Sequence, residues 1–167
     1  MTIESVNATE GSAGRRLQLG MVGGGEGAFI GAVHRIASRI DDQYQLVAAA
    51  PSADPERARR SGAALGLDPQ RVYASFEDMA RSERRRPDPI DVVAIVTPNH
   101  LHAPVAEVFL QAGFHVICDK PLTTTLARAL ALRDLAEAGA HEAILVLDPI
   151  SETTVRQCGE VLAALDG

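Results

Sequence analysis

Apolar residues in this chain form short continuous runs, which alternate with longer stretches where they recur every three or four positions. A short apolar run bounded by glycine or proline is typical of a buried strand, whereas the longer spacing is typical of a helix packed on one face. The pattern predicts strands at 17–22, 45–50, 71–74, 91–96, 114–118 and 143–147. It predicts helices at 29–40, 55–65, 76–81, 102–112, 123–138 and 152–165.

This alternation of strands and helices, with short connections, determines the expected fold class. Right-handed crossovers between parallel strands place helices on both faces of a sheet. We therefore expect an α/β fold with a doubly wound, mostly parallel sheet of the Rossmann type, in a single domain. Residues 15–167 would form this domain. A flexible tail would precede it over 1–14, where polar and small residues show no periodicity.

Charge and composition exclude two classes of function. The 167 residues include 22 acidic and 16 basic side chains, giving a net charge of −6, and only 4% are aromatic. Nucleic-acid binders usually carry a basic excess or stripe, so no nucleic-acid partner is expected. No apolar stretch approaches the ~18 residues of a membrane helix and no signal peptide is recognisable. We therefore expect a cytoplasmic protein with no membrane partner, and its two cysteines, Cys118 and Cys158, lack the spacing of a metal site.

The first motif with chemical potential is the glycine cluster VGGGEGAFIG at 22–31, which ends the first predicted strand and opens the first helix. Glycines let the backbone turn sharply and approach a pyrophosphate, whose charge the helix N-terminus stabilises. Gly23, Gly25 and Ala28 match G-x-G-x-x-A, whereas Gly31 takes the third glycine position only after a three-residue insertion. Between strand and helix, this cluster favours a dinucleotide site over a glycine-rich turn without ligand.

The end of the second predicted strand bears on the choice of cofactor. NAD-specific domains usually place an acidic residue there to hold the ribose hydroxyls, but residues 50–52 are Ala-Pro-Ser. Asp54 is better explained as the N-cap of a helix that begins at Pro55. Ser52 and Arg57 would suit the 2′-phosphate of NADP. The alternative, that both are ordinary loop and helix residues, stays open.

Two more polar motifs follow predicted strands, TPNHLH at 97–102 and DKP at 119–121. Ligands of doubly wound sheets bind beyond the carboxyl ends of the strands, so both motifs would face one crevice. The chain has fifteen arginines and one lysine, Lys120. Its ammonium group can donate to a substrate hydroxyl or carbonyl. The alternatives are a proline turn that caps the next helix, and an ordinary surface lysine.

In this order, the motifs VGGGEGAFIGAVHR, TPNHLHAPVAEVFLQAGFHV and CDKPL resemble those of the Gfo/Idh/MocA family of NAD(P)-dependent oxidoreductases, which act largely on sugars, inositols and related polyols. The resemblance covers almost the whole chain after the tail, and it implies NAD or NADP as the cofactor. By this resemblance Gly23, Gly25 and Gly31 would line the pyrophosphate. The nicotinamide side would be lined by Thr97, Pro98, Asn99 and His102.

The same resemblance assigns the DKP motif to catalysis. Lys120 would be the catalytic residue that meets both substrate and nicotinamide, with Asp119 and Pro121 beside it at the cofactor. Pro121 is often preceded by a cis peptide bond in the family. Family members usually have Glu where this chain has Asp119.

Family members carry a second α/β domain that completes the acid–base machinery. Residues 153–167 resemble the helix that precedes it, so we expect the cofactor half of an oxidoreductase, acting on a polyol or sugar only if a second domain is supplied. This expectation fits a truncated gene product, an excised domain or a degenerate member. The competing hypotheses are a non-catalytic nucleotide-binding or interaction module left from a truncated oxidoreductase, and a structural remnant without ligand.

Overall fold

A computed structural model of the chain describes residues 15–40, 42–139 and 143–146. The strands are β1 (Leu17–Gly23), β2 (Tyr44–Ala50), β3 (Val92–Val96), β4 (His115–Asp119) and β5 (Ala143–Val146). The helices are α1 (Phe29–Ile40), α2 (Pro55–Ala64), α3 (Phe76–Glu83), α4 (His102–Gln111) and α5 (Leu126–Gly139). Short 3₁₀ segments lie at Pro69–Arg71 and Asn99–Leu101.

The five strands form one sheet in the order β2-β1-β3-β4-β5, and each neighbouring pair is parallel. All five residues of β3, the central strand, are buried. Its alternate side chains join two apolar clusters, one with α1 on one face and one with α3, α4 and α5 on the other. The predicted doubly wound Rossmann-type sheet is therefore confirmed. The strand order reverses between β1 and β3, where such sheets form their ligand crevice.

The helix boundaries follow local capping chemistry. The side chain of Asp54 accepts a hydrogen bond from the Arg57 amide, with Pro55 at the first turn, so the predicted start of α2 is confirmed. Gly66 and Gly113 follow α2 and α4 with positive φ angles, the conformation that ends helices at low cost. The helix predicted from residue 123 begins later, at Leu126, because Thr123 bonds locally to the backbone of Thr125.

The strand predicted at 71–74 is wrong. Asp68 caps a 3₁₀ turn over Pro69–Arg71 through the Gln70 amide, so helical backbone takes up the first residue of the predicted strand. A single parallel bridge joins Val72 to Ala49 of β2. The helix predicted at 152–165 and the tail at 1–14 lie outside the described residues.

A buried ion pair explains why Arg71 turns inward. Its Nη2 lies 2.5 Å from Oε2 of Glu83, and both side chains are almost fully buried. The Tyr73 hydroxyl donates to the same carboxylate at 2.8 Å, and the Ile90 amide donates at 3.3 Å. Burial, and then the bond to Glu83, raises the pKa of Tyr73. With Glu83 as its last residue, α3 extends two residues beyond the predicted end.

Candidate functional site

The glycine-rich turn at 23–31 lies at the carboxyl end of β1, at the point where the strand order of the sheet reverses. Gly23 has φ +84°, and a Cβ there would lie 2.8 Å from the Val96 carbonyl oxygen of β3. A Cβ on Gly25 would lie 2.6 Å from the Pro51 carbonyl oxygen, at the end of β2. The backbone therefore approaches both neighbouring strands more closely than any side chain would permit.

Gly31 closes the turn from the side of α1. A Cβ on this residue would lie 2.4 Å from the Cα of Gly24, well inside van der Waals contact. Gly31 is also the buried residue of α1, so the helix packs against the turn at this point. The three-residue insertion in the glycine pattern is thus absorbed by the turn, and the third close contact is made by Gly31 and not by Ala28.

Two side chains that sequence analysis did not single out fasten this turn. Arg35 Nη1 of α1 donates to the Gly24 carbonyl oxygen at 2.9 Å. The hydroxyl of Ser61, buried in α2, accepts from the Glu26 amide at 3.0 Å. Burial, and then the charge of Arg39, lowers the pKa of Arg35. The turn is consequently held from α1 and from α2, and both bonds span at least eleven residues, beyond the reach of local sequence patterns.

The segment after β2 carries no carboxylate until Asp54, and that carboxylate caps α2 by accepting a hydrogen bond from the Arg57 amide. The Ser52 hydroxyl accepts from the Asp54 amide at 3.1 Å, and Arg57 is exposed on α2. The predicted roles of Ser52 and Arg57 at a 2′-phosphate stay predictions.

The two polar loops after β3 and β4 lie side by side because these strands are neighbours in the sheet. Pro98, Asn99 and Lys120 are exposed there, and the Lys120–Pro121 peptide bond is cis, as the resemblance implies. His102, the first residue of α4, is instead 1% exposed and lies beneath the loops. Its Nδ1 is 2.7 Å from the Pro121 carbonyl oxygen, and its Nε2 is 2.9 Å from that of Thr97.

Asp119 meets a partner that the sequence did not suggest. Its Oδ1 lies 3.6 Å from Nε2 of His34 on α1, and both side chains are largely shielded from solvent. This contact ties α1 to the end of β4, directly before Lys120. Neighbouring Cys118 is a free, buried thiol. Burial, and then the charge of Asp119, raises its pKa to about 12.

These features fit a dinucleotide. The close contacts of Gly23, Gly25 and Gly31 form a glycine cradle, in which the backbone can meet a phosphate. This cradle opens at the N-terminus of the twelve-residue α1. Beyond β3, the Thr97 hydroxyl oxygen is buried with no hydrogen-bond partner among the described residues. An unpaired buried hydroxyl costs about 1–3 kcal/mol and is typical of a site that a ligand or water completes.

Other site types find no support in the described ranges. Residues 15–40, 42–139 and 143–146 contain no group of three or more His, Cys, Asp or Glu side chains that could hold a metal ion. Within the same ranges, no helix has the length and apolar character needed to cross a bilayer.

Comparison with known proteins gives consistent relatives. A profile of the Gfo/Idh/MocA family, described as an oxidoreductase family with an NAD-binding Rossmann fold, matches residues 17–148. The uncharacterized oxidoreductase YfiI of Bacillus subtilis is 43% identical over 122 residues, which are 72% of this chain and 31% of that protein.

Two solved structures extend the similarity to three dimensions. An oxidoreductase from Sinorhizobium meliloti is 55% identical with a TM-score of 0.75, covering 80% of this chain and 37% of that one. An inositol dehydrogenase homolog from Azotobacter vinelandii, complexed with NADH and myo-inositol, is 41% identical with a TM-score of 0.77, covering 79% and 35%. The chain thus spans about a third of the length of these proteins.

Proposed function

We propose that this chain, which belongs to the Gfo/Idh/MocA family of oxidoreductases with an NAD-binding Rossmann fold, binds a nicotinamide dinucleotide across the crevice between β1 and β3. The observation that carries the proposal is the glycine cradle. At Gly25 and Gly31, a single added carbon would contact backbone atoms at 2.6 Å and 2.4 Å. Such close backbone packing is what a pyrophosphate site at a helix N-terminus requires.

In this proposal the two halves of the cofactor lie on the two sides of the change in strand order. Backbone N–H groups of the turn at 23–31 hold the pyrophosphate, while the turn itself is fastened by Arg35 and Ser61. The loop from Thr97 to Asn99 and the loop from Asp119 to Pro121 hold the nicotinamide side. Support for this side comes from the adjacent ends of β3 and β4 and from the unpaired Thr97 hydroxyl.

We further propose that both NAD and NADP are acceptable, with NADPH bound no more weakly than NADH. A carboxylate directly after β2 would repel a 2′-phosphate. The nearest one in sequence belongs to Asp54, and it is occupied in capping α2. A preference for NADH of about tenfold, equivalent to about 1.4 kcal/mol, would contradict this part of the proposal.

For the reaction, we propose oxidation of a carbinol on a sugar, inositol or related polyol, with Lys120 as the catalytic residue. The bound nicotinamide supplies the hydride acceptor. Lys120 lies at the carboxyl end of β4, where its side-chain nitrogen hydrogen-bonds the reacting oxygen and, as the neutral amine, accepts the hydroxyl proton when the carbinol is oxidised. The myo-inositol bound by the Azotobacter vinelandii homolog supports this substrate class.

We propose that turnover requires more than the described site. Lys120 is solvent-exposed, and water at a reacting centre weakens each electrostatic contact and leaves a substrate poorly oriented. The 167 residues alone would therefore bind cofactor with little or no dehydrogenase activity. Rapid oxidation of polyols by this chain alone would overturn that expectation.

The test is a fluorescence titration of the chain with NADH and with NADPH. We expect saturable binding of at least one of them, and the absence of binding by both would refute the proposed function. Lys120→Ala should retain cofactor affinity within about threefold, since the pyrophosphate contacts are elsewhere. In a complex completed by a second-domain partner, the same variant should lose most of the turnover. Full activity of Lys120→Ala in that complex would remove Lys120 from the catalytic role.

A further inference from the structure

His102 occupies an unusual place for a polar side chain. It is 1% exposed, and each ring nitrogen lies within hydrogen-bond distance of a backbone carbonyl oxygen. One carbonyl belongs to Thr97, five residues earlier, and the other to Pro121, nineteen residues later. A neutral imidazole donates to one of these oxygens and a doubly protonated ring donates to both. In either state, the ring is wedged between the two loops.

The two loops need such a connection because the sheet no longer joins them. The β3–β4 ladder ends at the pair Ile95 and Cys118. Beyond that pair, Thr97 and Pro121 follow their strands as loop backbone, and the imidazole ring lies between their carbonyl groups. The ring thus continues the contact between neighbouring strands past the end of the ladder.

We infer that His102 is a positioning residue for the nicotinamide half of the site, which sets the separation of the Thr97 and Lys120 loops without touching the cofactor. This inference rests on the proposed function. Direct contact with a ligand is excluded by the burial of the ring, each of whose nitrogens faces a backbone carbonyl oxygen. The effect passes instead through the backbone. One carbonyl belongs to Thr97, whose hydroxyl is unpaired, and the other belongs to Pro121, the residue after Lys120.

A purely structural role predicts a different outcome from a positioning role. If His102 only filled the core, its replacement would lower stability and would weaken every ligand of the domain to the same extent. If it positions these two loops, the loss falls on ligands that reach them. ADP-ribose keeps the pyrophosphate and both riboses and lacks only the nicotinamide ring, so a loss that falls on contacts with that ring spares ADP-ribose and separates the two cases.

The experiment compares NADH and ADP-ribose binding by calorimetry to the full chain and its variants. His102→Leu should weaken NADH by about tenfold, or about 1.4 kcal/mol, while ADP-ribose changes by less than about twofold. His102→Asn and His102→Gln each keep one donor near one carbonyl, so each should retain part of the NADH affinity. The matched control is His115→Leu, at the exposed opposite end of β4, which should leave both ligands unchanged.

Circular dichroism checks that each variant is folded. If His102→Leu does not fold, the Asn and Gln variants carry the comparison. Unchanged NADH affinity in the folded variants, or equal losses for NADH and ADP-ribose, would overturn the positioning role. If the wild-type chain binds neither ligand, the proposed function fails. If the wild-type chain binds ADP-ribose and not NADH, the proposed nicotinamide half of the site is refuted, and the positioning role of His102 is refuted with it.

Discussion

Replacing Gly31 by alanine tests the glycine cradle most directly. The added Cβ would lie 2.4 Å from the Gly24 Cα and 3.0 Å from its carbonyl oxygen, whereas ordinary contact begins at 3.4 Å. Relief therefore needs a separation of about 1 Å between α1 and the turn, and no side-chain rotation can supply it because the atoms are backbone. Overpacking of this kind costs about 1–3 kcal/mol of the free energy of unfolding.

The same displacement moves the N–H groups that would meet the pyrophosphate. A hydrogen bond to a charged group contributes about 1.5–3 kcal/mol, so losing one raises the NADH dissociation constant by about tenfold or more. Urea unfolding gives the stability change, and NADH fluorescence gives the affinity.

The matched control is Gly66→Ala. Gly66 has a φ of +68°, which strains alanine, but a Cβ there meets nothing within 4 Å, and the residue follows the C-terminal end of α2. This variant should lose about 1 kcal/mol of stability and keep its NADH affinity. If Gly31→Ala binds NADH as tightly as Gly66→Ala does, the close approach of α1 to the turn is not part of the binding site.

Three further predictions concern groups away from the crevice. Arg71→Met should lower the free energy of unfolding by about 3–5 kcal/mol, because it leaves Glu83 buried without its cation. The double variant with Glu83→Leu should recover much of that stability. A loss below about 1 kcal/mol for the single variant would contradict the prediction. Cys118 should resist iodoacetamide at pH 8, since burial raises its pKa to about 12, and it should be labelled in urea. Peptide mass mapping distinguishes Cys118 from Cys158. Rapid labelling of Cys118 in the native protein would disprove its burial. The Arg15 guanidinium lowers the pKa of Asp91, so this carboxylate stabilises the fold above its unfolded pKa of about 3.9 and loses that effect as pH falls through the lower folded value. The stability difference between wild type and Asp91→Asn, measured by urea unfolding, should therefore shrink below about pH 4, and a constant difference would contradict the ion pair.

The sequence by itself determined the elements whose signals are local. The β-branched run of β3 and the three- and four-residue spacing in α1 follow from which positions must avoid water, and that information lies within one window of the chain. Capping of α2 by Asp54 is equally local, because donor and acceptor are three residues apart. Once strands and helices alternate, the right-handed crossover rule places the TPNHLH and DKP motifs at one edge of the sheet.

Only the tertiary structure decided which of these residues meet. Of the strand predicted at 71–74, Arg71 ends a 3₁₀ turn with its side chain on Glu83, twelve residues away, and Val72 forms a single bridge to Ala49. Ser61 and Arg35 were missed because their bonds to the glycine turn join separate elements. The sequence placed His102 among the site residues, and packing put its ring beneath them. Periodicity records whether a residue is buried, whereas the identity of its neighbour depends on how the elements pack, which no single window of sequence contains.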